Sequence, residues 1–320
     1  MLKRYFSKEN ICWILLAAAS FTLITFLMNV GIIGSYYQIT LYNICINVIL
    51  AVSLNLIIGV CGQFSLGHAG FMCIGAYSAA IIVRSMGNML GFALGIGVGI
   101  VISTIAALIV SIPTLRLRGD YLAIATLGFA EIIRIIVINM EITNGAAGIT
   151  GITKLTTWPL LFLFMVISIM IVTNYSRSRQ GRACISIRED EIASEAMGIN
   201  TTRYKTTAFV IGAILASVAG ALYACNFYVI KPDLFTFNKS IDILVMVVFG
   251  GMGSMTGSVI AAVFIGILNT LLQNFSSIRM VVYGIVLVAI MIFRPSGLLG
   301  TKEFTFSALW KGRRKEKKKK

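Results

Sequence analysis

The chain has 320 residues, of which 58% are hydrophobic and only 12% are charged. An ordinary soluble domain carries about 25% charged residues, so this composition excludes that class and indicates an integral membrane protein. Much of the net charge of +15 lies in the C-terminal sequence KGRRKEKKKK. A short lysine-rich end beside a final apolar segment favours contact with anionic lipid headgroups over binding of nucleic acid.

Apolar stretches long enough to cross a bilayer recur along the chain, since a transmembrane helix needs about 20 mostly apolar residues. They are too long and too uniformly apolar for the strands of a membrane β-barrel. The sequence therefore predicts an all-α integral membrane fold with about ten transmembrane helices. The predicted spans are 11–33, 37–59, 64–83, 90–112, 120–140, 157–174, 206–229, 242–254, 257–274 and 279–294.

The distribution of basic residues predicts how these spans are oriented, because lysine and arginine concentrate in short cytoplasmic loops. With the N-terminus inside, 21 of the 27 basic residues fall in cytoplasmic segments. Five, including Lys231 and Lys239, fall in proposed outer loops. We therefore expect an even number of crossings, with both termini in the cytoplasm. Residues 1–304 form a polytopic transmembrane domain in this interpretation, and residues 305–320 form a basic cytoplasmic tail.

Two glycine-rich segments interrupt the apolar pattern, one in each half of the chain. The first, GVCGQFSLGHAG at 59–70, also contains the only histidine, and the second includes Gly250, Gly251 and Gly253. Broken helices in transporters expose backbone to a cavity near the middle of the bilayer, so the two segments are candidates for inverted counterparts that border a route for solute. Close helix packing is the alternative reason for single glycines. The candidates for the pathway or its gate are Asn55, Gln63, Ser65, Gly67, His68, Glu131, Arg134, Gly250, Gly251 and Gly253.

Glu131 and Arg134 are ionisable residues inside a predicted span, three positions apart and therefore on one helix face. Charges at that depth are costly, so we expect them to pair and to face the interior of the bundle. The cysteines form no CxxC pair, and with His68 as the only histidine the sequence predicts no metal site. Ser65 and His68 lack an orienting acid at a recognisable spacing, which argues against a catalytic site.

A polar stretch at 174–205 breaks the hydrophobic pattern for about thirty residues. Within it, apolar residues recur at roughly helical spacing and the run ends at Gly198, which predicts a short amphipathic helix over 186–198. A plain connector would need only a few residues, so the stretch is also a candidate for docking to a cytoplasmic partner. The docking candidates are Arg188, Glu189, Glu191, Ile192, Glu195, Met197, Gly198 and Arg203.

Several ordered stretches resemble one family of transport proteins. The chain resembles the LivM-type permease subunit of bacterial branched-chain amino-acid ABC importers. The resemblance is carried by SLNLIIGVCGQFSLGHAGFMCIGAYSAA (53–80), LRLRGDYLAIATLGFAEIIRIIV (115–137), TNGAAGITGI (143–152), the stretch from RQGRACISIRED to ASVAGAL (179–222), VVFGGMGSMTGSVIAA (247–262) and FRPSGLLG (293–300).

The resemblance implies a multi-pass protein of the bacterial cytoplasmic membrane that works within a heteromeric importer. The implied partners are a second permease, two cytoplasmic ATPase subunits and an extracytoplasmic solute-binding protein. It also implies that residues 186–205 engage an ATPase, with Glu195, Ala196, Met197 and Gly198 as a partial match to the Glu-Ala-Ala loop of ABC importers. No GxxxxGK motif followed by Ser or Thr occurs in the chain. We therefore expect no cofactor on this chain, and ATP and Mg²⁺ on the partner subunits.

Three classes of function follow from these observations. The first is a permease subunit of an ATP-driven importer of a small polar solute, which the resemblance identifies as a branched-chain amino acid, with urea or short amides as alternatives in the same superfamily. The second is a stand-alone ion-coupled transporter, which would need acidic residues in the core, where Glu131 is the main candidate. The third is an intramembrane enzyme, for which the sequence offers no convincing set of acid, base and nucleophile.

Overall fold

The computed structural model describes residues 8–31, 33–114, 120–271, 284–285 and 297–300. The basic tail predicted over 305–320 lies outside these residues. The α-helices are α1 Lys8–Asn29, α2 Ser35–Asn55, α3 His68–Met86, α4 Met89–Thr114, α5 Asp120–Asn139, α6 Trp158–Arg177, α7 Arg179–Glu189, α8 Glu191–Ala196, α9 Thr201–Phe227, α10 Phe237–Gly250 and α11 Met255–Leu271. A π-helix, Leu56–Val60, continues α2.

Short elements complete the end of the molecule that lies opposite α7 and α8. Strands β1 (Ile149–Thr150) and β2 (Val229–Ile230) pair antiparallel, with Ile149 opposite Ile230. Three 3₁₀ turns accompany them, at Glu141–Thr143, Gly145–Ala147 and Pro232–Phe235. The backbone amides of Ile152 and Leu155 also bond to carbonyls near the end of α9, so this loop is fixed to that helix.

Six of the described helices are long and apolar enough to cross a membrane. They correspond to predicted spans and cover Tyr36–Val60, His68–Met86, Met89–Thr114, Tyr121–Asn139, Trp158–Arg177 and Thr201–Phe227. Two shorter apolar helices, Leu15–Asn29 and Met255–Leu271, accompany them. The protein is therefore a multi-pass membrane protein. The expected count of about ten is not confirmed, because the predicted span 279–294 lies outside the described residues except at 284–285.

The predicted span 242–254 is wrong in its extent. The helix at this position, α10, has 14 residues. At 1.5 Å per residue it rises about 21 Å, less than the roughly 30 Å thickness of a hydrocarbon core. A tight turn at 251–254 then leads into α11, so α10 and α11 form a hairpin of two short helices. The glycines that interrupt the sequence here end a helix that does not cross the bilayer alone.

The centre of the bundle is formed by α2, which packs against α6, α9, α10 and α11. Beside it, α3, α4 and α9 pack on one another at very short range. A Cβ atom added to Gly75 of α3 would collide with the backbone of Ser217 in α9, and one added to Gly220 would collide with the backbone of Met72. Small residues allow this approach, which gives dense van der Waals contact where lipid offers no hydrophobic driving force.

The close approach of α3 and α9 makes Gly75 intolerant of a side chain. We expect Gly75→Val to lower stability by about 1–3 kcal/mol or to prevent folding, because the backbone of Ser217 occupies the required space. Gly97→Val in α4 is the matched control, since nothing lies within 4 Å of a Cβ at that position. Thermal melting of the two purified variants measures the difference, and equal melting temperatures would contradict the packing described here.

Candidate functional site

The two glycine-rich segments predicted as pathway or gate candidates meet at one end of the bundle. Asn55, the last residue of α2, joins them through its side-chain amide. Its Oδ1 accepts a hydrogen bond from the backbone N–H of Gly253 at 2.8 Å, and its Nδ2 donates to the carbonyl of Ser254 at 2.9 Å. Asn55 is fully buried. One side chain thus satisfies both kinds of backbone group in the turn between α10 and α11, where water is excluded.

This contact requires glycine on both sides. A Cβ at Gly59 would overlap the amide nitrogen of Gly253, so the π-helix and the turn touch backbone to backbone. Gly253 itself has φ of +97°, a conformation that residues with side chains rarely adopt. Beside this turn, Gly250 at the end of α10 packs on Gly257 of α11, and Gly251 packs on Gly297 of the sequence GLLG at 297–300. We name the contact between Asn55, Gly59, Gly253 and Ser254 the glycine junction.

Arg188 connects the polar loop at 174–205 to the glycine junction. The sequence indicated Arg188 as a docking residue, but its guanidinium points into the bundle, where Nη1 donates to the carbonyl of Gly59 at 2.6 Å. Its stem lies against Gly62, where a Cβ would approach the Arg188 Cγ at 2.7 Å. Nη2 pairs with Glu189 at 2.6 Å. Arg188 therefore carries a physical link from α7 to the end of α2.

A second contact joins the same two segments. Cys61, which follows the π-helix, and Cys184 of α7 are both buried. A hydrogen bond with the Cys184 side chain, together with burial, raises the pKa of the Cys61 thiol well above its ordinary range. The same hydrogen bond lowers the pKa of the Cys184 thiol. The two side chains pack α7 against the base of α2.

The first glycine-rich segment runs without regular structure from Gly62 to Gly67 before α3 begins at His68. Its polar side chains turn into the protein. His68 Nε2 lies 2.7 Å from Ser53 Oγ in α2, and both residues are buried. Ser65 is buried as well and accepts from the Gly67 amide at 3.4 Å. No described residue bonds the side-chain amide of Gln63, which is only 3% exposed.

Gly67 and Gly70 fit the start of α3 against α5. A Cβ at Gly67 would lie 2.5 Å from the carbonyl of Thr126, and one at Gly70 would lie 2.8 Å from the Cα of Ala130. The hydroxyl of Thr126 also accepts from the Leu66 amide at 3.0 Å. These glycines therefore allow close packing of the broken helix, which is the alternative that the sequence left open for single glycines.

Glu131 and Arg134 pair with each other on α5, as predicted. Arg134 Nε lies 2.9 Å from Glu131 Oε1 and 3.0 Å from Oε2. Arg134 also lies 3.9 Å from the carboxylate of Asp233, which follows α9. The expectation that both residues face the interior is met only in part, because the side chain of Glu131 remains 42% exposed. A charge pair at this depth requires water or another protein surface beside it.

The polar loop at 174–205 contains two helices where the sequence predicted one over 186–198. The break falls at Asp190, whose Oδ1 accepts from the Ala193 amide at 3.0 Å and caps α8. Asp190 has extended backbone angles, so α7 cannot continue through it. The predicted stop at Gly198 is confirmed, with φ of +81° and a hydrogen bond from its amide to Glu195.

The charged side chains of α8 fix it to the start of α9. Glu191 Oε1 pairs with Lys205 Nζ at 2.5 Å, and Glu195 Oε1 accepts from Thr201 Oγ1 at 2.7 Å. All three carboxylates among the docking candidates, Glu189, Glu191 and Glu195, are therefore engaged within the chain. The two apolar docking candidates point outward, with Ile192 68% exposed and Met197 83% exposed. Arg203 is also exposed.

Lys239 was predicted from the sequence to lie in an outer loop and was not among the candidate site residues. In the structure Lys239 lies in the first turn of α10, and its Nζ donates to Asn47 Oδ1 at 3.1 Å. Asn47 lies midway along the crossing helix Tyr36–Val60, so Lys239 reaches the middle of the bundle. The neighbouring Ser240 accepts from the Ala69 amide at 3.2 Å. The short helix α10 and the broken helix α3 therefore begin side by side inside the protein.

Comparison with known proteins agrees with this architecture. Residues 36–293 match the family described as branched-chain amino acid transport system / permease component. The chain belongs to this family. The matched range includes both glycine-rich segments, the polar loop at 174–205 and Lys239, so the glycine junction and its link to α7 lie within the family domain of this chain.

Individual relatives extend the comparison. The chain is 37% identical over 289 residues to the high-affinity branched-chain amino acid transport system permease protein LivM of Salmonella typhimurium, covering 79% of this chain and 68% of that protein. It is 35% identical over 162 residues to the permease protein LivH of Escherichia coli, covering 50% of this chain and 51% of that one. Among solved structures, PsaBC from Streptococcus pneumoniae in complex with Fab has a TM-score of 0.45 at 13% identity, covering 83% and 92% of the two chains.

The role of Asn55 in the glycine junction can be tested by removing its amide. We expect Asn55→Leu to destabilise the protein by about 1–3 kcal/mol, because it leaves the buried Gly253 N–H without its side-chain acceptor. The Ser254 carbonyl loses one donor but still accepts from the amide and the hydroxyl of Ser258. Asn139→Leu is the control, since that exposed amide bonds only to its own helix. A thermal melt of Asn55→Leu that matches Asn139→Leu would show that the junction does not depend on this side chain.

Proposed function

We propose that this chain is one of two permease subunits in an ATP-driven importer of branched-chain amino acids. The family match and the similarity to the branched-chain amino acid permease protein LivM support this substrate class. The observation that carries the proposal is the cytoplasmic loop, which presents two exposed apolar side chains outward and sends one arginine inward to the glycine junction. Such a loop is suited to receive a partner and to transmit its movement.

The partners in this proposal are two cytoplasmic ATPase subunits that seat against α7 and α8. ATP and Mg²⁺ act on those subunits, and binding and hydrolysis change their separation. Because α8 is tied to the start of α9 through Glu191 and Glu195, movement at the loop is passed to a 27-residue helix that packs on α2, α3 and α4. Arg188 passes the same movement to the glycine junction. Nucleotide does work on the permease only if it favours one of its states over the other.

A second permease subunit completes the route in this proposal. Both LivM and LivH are named as permease proteins of one type of transport system, and this chain is similar to each. The partly exposed pair of Glu131 and Arg134 supports a neighbour at α5, because a bare charge pair would be costly against lipid. This pairing also weighs against a stand-alone ion-coupled transporter, since Glu131 is engaged with Arg134 and is a poor carrier of a coupling proton.

The direction of transport is inward in this proposal. An extracytoplasmic binding protein delivers the solute to the end of the bundle that carries β1 and β2, and the opposite end faces the cytoplasm. The basic residues support this orientation, because those at 177–205 cluster on the end that carries α7 and α8. The protein then resides in the cytoplasmic membrane with both termini inside.

Docking through the loop predicts a selective effect of one apolar residue. Met197 is 83% exposed, so Met197→Asp should leave the permease folded. At an interface with an ATPase, the same change removes a packed apolar side chain worth about 1–4 kcal/mol and buries a charge. We expect co-purification of the ATPase and leucine uptake to fall together.

Lys318→Ala in the basic tail serves as the control for Met197→Asp and should leave both quantities unchanged. Ile192→Asp provides an independent test, because Ile192 is also exposed on α8. A Met197→Asp complex that retains its ATPase and transports normally would show that the loop is a connector and would remove the main support for the proposed coupling.

The orientation can be tested with single cysteines at exposed positions on opposite ends of the bundle. Thr202 and Thr153 are both exposed, the first beside the cytoplasmic loop and the second after β1. On a cysteine-free background, Thr202→Cys should react with a membrane-impermeant maleimide only in inverted vesicles, and Thr153→Cys only in intact cells. The reverse pattern would invert the proposed topology.

A further inference from the structure

A cavity of about 150 Å³ lies between α2, α3, α9 and the chain that leads into α10. Its lining combines one cation, one amide and a set of apolar or aromatic side chains. The lining residues are Asn43, Met72, Tyr223, Leu234, Phe235 and Lys239. A cavity of this volume accommodates a ligand of roughly benzene size, which is the scale of an aliphatic amino-acid side chain.

Lys239 is an unusual residue at this place. Its Nζ bonds to Asn47 at the midpoint of a crossing helix, so the ammonium group lies deep in the protein and not in an outer loop. A lysine at such depth is costly and in membrane proteins marks a functional site more often than a structural one. Asp242, one turn further along α10, interacts with the charge of Lys239 through space. Lys239 also donates a hydrogen bond to the neutral amide of Asn47, and it keeps accessible surface where it lines the cavity.

The surrounding elements favour an anion at this position. Lys239 lies in the first turn of α10, whose N-cap Thr236 makes no side-chain cap hydrogen bond and whose first turn has no acidic residue. The positive end of a short helix therefore borders the same cavity and adds to the field of the ammonium group. Asn43 lies one turn before Asn47 on α2, so its amide oxygen offers a neutral acceptor beside the cation.

Apolar and aromatic side chains line the rest of the cavity. Met72 and Phe235 are fully buried, and Phe235 packs edge-on against Tyr223 and Tyr77 with ring centroids 6.4 and 6.1 Å apart. Leu234 completes this wall and remains 41% exposed. These side chains provide an apolar surface that takes an aliphatic group but offers little to a polar one.

From this arrangement we infer that the cavity binds the translocating amino acid, with Lys239 holding its carboxylate and Met72, Leu234 and Phe235 surrounding its aliphatic side chain. The inference rests on the proposed import function and adds a site within this chain. The amide of Asn43 accepts from the α-ammonium group of the solute. The site lies beside the first turn of α3, where Ala69 bonds Ser240, so movement of the broken helices changes its shape.

The test uses the complete importer, purified with both permeases and both ATPases but without the binding protein, so that any binding is to the membrane subunits. L-leucine and L-leucinamide, which lacks the carboxylate, are compared as ligands by the concentration that gives half of the maximal thermal protection. We expect the wild-type complex to prefer L-leucine. In Lys239→Met, the half-protecting concentration of L-leucine should rise about tenfold or more, and the preference over L-leucinamide should disappear.

Two further variants separate the charge from its position. Lys239→Arg keeps the charge and should recover part of the preference for L-leucine. Lys231→Met removes an exposed lysine eight residues earlier and should behave as the wild type. An unchanged preference in a folded Lys239→Met complex would overturn the inference, as would a wild-type complex that does not distinguish the two ligands.

A variant at the apolar wall keeps the inference testable if Lys239→Met does not fold. Leu234→Phe narrows the cavity without touching the cation, so it should weaken protection by L-leucine several-fold while protection by L-alanine changes little. A merely structural role would reduce both equally, and that result would overturn the site. Uptake of labelled leucine by cells with the wild-type importer tests the proposed function separately, because uptake can succeed while the Lys239 and Leu234 variants bind as the wild type does.

Discussion

Where a helix breaks inside a membrane protein, backbone N–H and carbonyl groups lose their helical partners. The structure depends on side chains that bond to these groups. Hydrocarbon offers no partner for an exposed N–H or carbonyl, so each break must be completed by other parts of the protein. Asn55 does this for the turn between α10 and α11, with one bond to an N–H and one to a carbonyl. Ser240 and Thr126 do the same for the start of α3. The broken segments are thereby held to specific neighbours and not left as loose loops.

The same contacts connect the end of the bundle that carries α7 and α8 to the middle of the bundle. From Arg188 the path runs to the carbonyl of Gly59, across the glycine junction to Gly253, and along α10 to Lys239. Every step is a direct contact between packed groups. Backbone-to-backbone contact between Gly59 and Gly253 leaves little room for one segment to move without the other, because packed interiors respond by switching between arrangements more readily than by deforming.

Much of the fold could be predicted from the sequence, because six crossing helices coincide with long apolar stretches. The glycine-rich segments were also found, since glycine and polar residues inside apolar sequence are a strong local signal. The partners of those segments could not be predicted. Asn55 meets Gly253 across 198 positions and Arg188 meets Gly59 across 129, and no local pattern encodes such distances. The break at Asp190 had a local signal, since aspartate is a favoured N-cap, but the apolar spacing on both sides of it suggested one helix.

Lys239 shows a more general limit. A lysine at the edge of an apolar stretch is usually interpreted as a loop residue. Lys239 lies inside the protein because it belongs to the first turn of the short helix α10 and bonds to Asn47 of α2.

The outward position of Met197 and Ile192 has a consequence for the synthesis of the protein. Apolar side chains exposed to water on a loop promote association with unrelated proteins. If an ATPase covers them, a permease made in excess of its partner is prone to aggregation and degradation, so cells would need to produce the subunits in matched amounts.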